Sequence, residues 1–147
     1  MTRDELVQWC HGAPGHVLLL IKAHEVFKDD RYLQRAESVS RNTIFRRGLL
    51  KKGVGLCHGI SGNAFPFLSI YRSLKNKESD TSELGDIDEW LQMAYHFADF
   101  AIEKLQELEH TPDSPYSLYE GIAGFACLLI DLQSPEDANS RFPCYEV

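Results

Sequence analysis

The sequence predicts an all-α fold built from helical repeats. Three observations predict it. A Gly-x-x-Gly unit recurs at Gly12–Gly15, Gly59–Gly62 and Gly121–Gly124, each time followed by an apolar segment. Longer amphipathic stretches with helical spacing lie between these units. No convincing run alternates apolar and polar residues with the period of two that a half-buried strand shows. Each Gly-x-x-Gly is expected to be a turn that opens a buried inner helix, because glycine permits tight backbone angles and close approach.

The inner segments are His16 to Ile21, Ala64 to Tyr71 and Phe125 to Leu132. Arg31 to Arg47 is expected to form the first outer helix, with Leu33, Ala36, Val39 and Ile44 apolar and Gly48 as its stop. Trp90, Ala94, Phe97, Ala101 and Leu105 follow one stripe of a second outer helix, widened by Leu91, Ala98 and Ile102. Residues 76–86 form a polar connector, and 110–115 a turn-rich loop. The tail from Gln133 ends in RFPCYEV, with aromatics able to pack. Three such units make an arc, compatible with a helical solenoid or with a toroidal α/α barrel.

With 147 residues, the chain is expected to be one domain over 1–147. Its formal net charge of −7 argues against nucleic acid or an anionic membrane as its main partner. The longest strongly apolar run, Val17 to Ile21, is far short of the roughly 20 residues that span a bilayer. The N-terminal MTRDELVQWC has acids where a secretory leader needs an apolar core. A cytoplasmic, reducing setting is therefore expected, with Cys10, Cys57, Cys127 and Cys144 as free thiols or metal ligands rather than disulfides. Basic residues cluster once, at Arg41, Arg46, Arg47, Lys51 and Lys52; this is either a solvated loop or part of a small-anion pocket.

The chemistry concentrates before two of the glycine turns. Cys10-His11 precedes Gly12, and Cys57-His58 precedes Gly59. Zinc takes thiolate and imidazole ligands in tetrahedral geometry. Residues at equivalent repeat positions can converge despite wide separation in sequence, so Cys10, His11, Cys57 and His58 are all candidate ligands. Four would close the site, and three would leave one coordination position open. Cys127, in FACLLI, reads as core filling, and His16 and His24 as ordinary helix residues. Asp113 and Glu120 are acids that helix-start capping explains as well as catalysis does.

The stretches LVQWCHGAPG, GLLKKGVGLCHGISGNAF and TPDSPYSLYEGIAG closely resemble the C-terminal region of eukaryotic lanthionine synthetase C-like (LanC-like) proteins. The resemblance implies an α/α toroid, of which this chain would be an incomplete arc. It implies one zinc ion held by Cys10, Cys57 and His58, with His11 left to the substrate as a catalytic residue. Lys52 matches a glutathione-contacting position. His110 stands where the family carries an arginine facing glutathione, and histidine lacks the permanently charged bidentate fork. The implied activity is zinc-dependent addition of the glutathione thiolate to dehydroalanine or dehydrobutyrine residues in peptides or proteins. The alternative is a zinc- and glutathione-binding module without turnover.

Overall fold

The computed structural model describes residues 6–76, 87–137 and 141–146. Almost all of the connector expected at 76–86 lies outside the described residues. The described residues are helical and contain no β-strand, only an isolated bridge between Val7 and Gly12. Three inner helices begin at the three glycine turns: α1 (Ala13–Phe27), α4 (Ile60–Lys75) and α7 (Ile122–Gln133). Outer segments follow the first two: α2 (Asp30–Val39), which runs through a π-helical turn (Ser40–Ile44) into α3 (Phe45–Arg47), and α5 (Asp88–Glu103), followed by the short α6 (Leu105–Leu108).

Each turn uses its glycines for the same physical reason. A Cβ on Gly15, Gly62 or Gly124 would collide with the carbonyl oxygen of Trp9, Leu56 or Leu118, in each case six residues earlier. The loop before each inner helix thus folds back over the first helical turn at a distance that admits only hydrogen. Gly12 additionally has φ 139°, which side chains rarely adopt.

Helices α1 and α2 pack as one hairpin, and α4 and α5 as a second. The middle inner helix α4 also contacts α1 and α7. It is buried along almost its whole length, including Phe65, Phe67, Leu68 and Ile70. Phe67 meets Phe97 of α5 edge-on at 5.1 Å between ring centres. A bidentate ion pair from Arg41 to Glu89, at 2.7 and 2.8 Å, ties the first outer segment to the second. The Arg41 guanidinium also lies 4.3 Å over the Trp90 ring. Arg41 therefore serves a contact between elements, and Arg46, Arg47, Lys51 and Lys52 are the exposed members of the basic cluster.

The structure corrects three local expectations. The first outer segment starts at Asp30, and its buried residues Leu33, Ala36, Ser40 and Ile44 pass through the π turn. Gly48 ends this segment as expected, at φ −84°. A Cβ at Gly48 would crowd Ile44 and lie 3.0 Å from the Phe97 ring. Ile102 is 54% exposed, because it sits about 100° around α5 from the centre of the buried stripe. Capping does not explain Glu120: the N-cap of α7 is Gly121, with no side-chain cap, while Glu120 accepts the Ser114 N–H at 3.0 Å.

The tail packs. Phe142 is fully buried and stacks on Trp9 at 4.9 Å, and Tyr145 meets the same indole edge-on at 5.3 Å. No helix among the described residues is long and apolar enough to cross a membrane.

Candidate metal centre

The three loops that lead into the inner helices lie side by side, joined by main-chain hydrogen bonds. The Cys10 N–H donates to the Cys57 carbonyl at 3.1 Å. The Cys57 N–H in turn donates to the Tyr119 carbonyl at 2.6 Å. Residues 10, 57 and 119 each stand two positions before the first glycine of their turn. Equivalent repeat positions are therefore bonded directly to one another, and this brings distant thiols together.

Asn63, wholly buried at the start of α4, fastens the same region. Its side-chain N–H groups donate to the carbonyls of Val7 and Gly48, both at 2.8 Å. The Ser61 hydroxyl donates to the Val54 carbonyl at 2.5 Å, holding the 53–59 loop against the helix. Gly53 and Gly55 lie against the backbone and ring atoms of Pro112, Tyr119 and Glu120, so the loops carrying Lys52 and His110 adjoin.

Within this frame the ligand atoms of Cys10, Cys57 and His58 all lie within 4.8 Å of one another. Cys10 is exposed, whereas Cys57 and His58 are half-buried. Two sulfurs and an imidazole nitrogen at this separation suit tetrahedral coordination of a borderline-soft divalent ion with one position left over. The Cys10 thiol donates to Gln8 Oε1 at 3.6 Å. Burial, then the hydrogen bond and charge of Cys10, then the charge of Glu120, push the Cys57 thiol up to about 11. Two thiolates beside a carboxylate are mutually unfavourable, and a divalent cation between them reverses that balance.

The family of proteins described as lanthionine synthetase C-like matches residues 1–147 of the chain. The chain belongs to this family. A zebrafish (Danio rerio) protein named glutathione S-transferase LANCL1 is 43% identical over 146 residues, covering 99% of this chain and 33% of that protein. An Arabidopsis thaliana protein named LanC-like protein GCL1 is 40% identical over 149 residues, covering 99% of this chain and 31% of that protein. The chain thus spans about a third of the length of these relatives.

Of the four candidate ligands in this LanC-like chain, three converge. His11 is exposed and stands outside the trio. Lys52 is exposed. His110 is also exposed, with its Nε2 3.3 Å from a carboxylate oxygen of Glu109. His24, an ordinary helix residue as expected, is buried with Nδ1 3.1 Å from the Asp29 carbonyl.

Three contributors to the site were not singled out from sequence. Tyr119 supplies the carbonyl that holds Cys57, and its hydroxyl donates to the Pro143 carbonyl at 3.0 Å. Its offset from the third glycine turn was the available signal. Gln8 and Asn63 carried none, since a buried polar side chain in an apolar segment is defined by its tertiary partners.

Proposed function

We propose that Cys10, Cys57 and His58 hold one zinc ion and that the chain takes part in glutathione-dependent thioether formation on dehydroalanine or dehydrobutyrine residues of proteins. The observation that carries this reading is the convergence of the three ligand atoms within 4.8 Å. Membership of the LanC-like family supports it, as does the name glutathione S-transferase borne by the zebrafish relative. Zinc bound there would supply positive charge that lowers the pKa of an adjacent thiol at neutral pH.

The remaining work falls to the protein's side chains. Lys52 and His110, on adjoining loops, would hold the carboxylates of glutathione. The glutathione sulfur adds to the β-carbon of the dehydroamino acid, forming a C–S bond as the C=C π bond breaks. The thiol's proton ends on the α-carbon, and His11, exposed beside Cys10, would deliver it. Nothing is oxidised or reduced. Four free cysteines fit a reducing compartment such as the cytoplasm.

A second reading, a zinc- and glutathione-binding module without turnover, is favoured by the pairing of His110 with Glu109. That acid weakens an anion anchor that already lacks an arginine's fork.

Metal analysis of the purified, zinc-loaded chain is expected to give about one equivalent, and the Cys57→Ser variant well under half of that. Zinc content unaltered by Cys57→Ser removes the metal assignment. Incubation with glutathione and a dehydroalanine peptide, followed by mass spectrometry, then separates the two readings. An adduct formed at a rate that depends on protein concentration and falls in His11→Ala supports the enzyme. Zinc and glutathione binding without adduct supports the module.

A further inference from the structure

Two of the three candidate ligands are thiols, and two thiols held side by side can be joined to each other as well as to an ion. Cys10 and Cys57 belong to different glycine turns, yet the Cys10 N–H donates to the Cys57 carbonyl at 3.1 Å. Residues bonded in this way stand on the order of 5–6 Å apart at their Cα atoms. A disulfide spans roughly 4.4–6.8 Å between Cα atoms. The two sulfurs already lie within 4.8 Å of each other. Side-chain rotation can therefore close the gap between loops whose main chains are bonded to begin with.

The pair is asymmetric. Cys10 is exposed and Cys57 half-buried, so a molecule arriving from solvent meets Cys10 first. An accessible thiol with a second thiol behind it is the arrangement of a redox-sensitive pair, one sulfur reacting and the other resolving. The remaining cysteines stand apart from the trio. Cys127 is half-buried on α7. Cys144 is an exposed residue of the tail at φ 63°, with its thiol beside the Tyr119 hydroxyl.

We propose that Cys10 and Cys57 form a redox pair, which glutathione disulfide closes into a bridge that dismantles the metal centre. The inference rests on the zinc reading of this site and adds its regulation. The Cys10 thiolate attacks one sulfur of glutathione disulfide, whose S–S bond breaks to release one glutathione. The Cys57 thiolate then attacks the Cys10 sulfur of the mixed disulfide, and the second glutathione leaves. Two protein thiols are oxidised, one glutathione disulfide is reduced to two glutathiones, and the two thiol protons end on those.

A sulfur in a disulfide carries no thiolate charge, and metal binding needs the deprotonated thiol. The bridge thus leaves His58 alone of the three donors, and a single imidazole does not retain the ion. Glutathione would act on the site in both redox forms, the thiol as reactant and the disulfide as off-switch.

The test uses the zinc-loaded 147-residue chain, incubated with glutathione disulfide without denaturant. A chromogenic chelator follows released zinc, and mass spectrometry of a tryptic digest maps the disulfides. A bridge between peptides 4–22 and 53–72 is expected to appear in step with zinc release. Zinc content is expected to fall from about one equivalent to well under half of that, and to recover with dithiothreitol and added zinc. Cys144→Ser, at an exposed position outside the trio, is expected to change neither readout. Cys57→Ser is expected to stop at the mixed disulfide, with one glutathione on Cys10. A bridge that forms while zinc stays bound overturns the proposal, as does zinc release without the bridge. Pairing of Cys10 or Cys57 with Cys127 or Cys144 instead, or no bridge in the zinc-free chain, overturns it as well. Failure of the metal reading shows separately, as a chain that takes up no zinc before any oxidant is added.

Discussion

A methyl group at Gly62 would overlap the backbone of Leu56, and no rotation of a side chain relieves a clash with main chain. Gly62→Ala must therefore push the 53–59 loop off α4, breaking the Gly62-to-Gly55 hydrogen bond of 3.2 Å and displacing Cys57 with it. The expected cost is more than about 2 kcal/mol, read from urea unfolding. Zinc content is expected to fall together with stability. A Gly62→Ala variant with wild-type stability would show that the loop can retreat freely. This glycine was legible in the sequence through its repeat. Asn63 beside it was not, because its two carbonyl partners, Val7 and Gly48, are 56 and 15 residues away.

Helix starts differ along the chain, and the difference is chemical. The inner helices open at glycines without a side-chain cap, whereas α2 opens at Asp29, which accepts the Arg31 N–H at 3.0 Å. The Arg31 guanidinium and N–H hold the Asp29 carboxyl at about 2 instead of 3.8. A carboxyl depressed in the folded state contributes its stability above 3.8 and loses it as pH falls through about 2. Asp29→Ala is expected to lower the thermal midpoint by a few degrees at neutral pH. The gap to the parent chain should close as pH drops from 3.8 to about 2; a gap independent of pH would assign the effect to something other than this carboxylate. Periodicity located α5 well, since Trp90, Ala94, Phe97 and Ala101 are all buried. It misjudged Ile102, because a wide apolar stripe in sequence does not say how much of the helix a neighbour covers.

At the scale of the molecule, the arc is covered in its middle and bare at its ends. The central helix α4 is buried by α1, α5 and α7. Leu19, Val26 and Phe27 of α1 are 56%, 62% and 68% exposed, and Ile130 of α7 is 64% exposed. Apolar side chains clustered on an open edge favour association on heating. The triple variant Leu19→Lys, Phe27→Lys, Ile130→Lys is expected to raise the onset of aggregation in a thermal light-scattering scan by several degrees, with secondary structure retained. An unchanged onset would place the association-prone surface elsewhere. The expectation of an open arc came from counting glycine turns, and the exposed edges agree with it.

The sequence by itself determined what is local: glycine turns, helix periodicity, and two Cys-His pairs at one offset from those turns. These follow from backbone sterics and from burial of one helix face, which act within a few residues. Tertiary structure decided which donors meet. Cys10, Cys57 and His58 converge while His11 stays outside, because hydrogen bonds run from loop to loop through residues 10, 57 and 119. Tertiary structure also placed Phe142 on Trp9. Such contacts join segments far apart in the chain, and no period or motif within one segment encodes its partner.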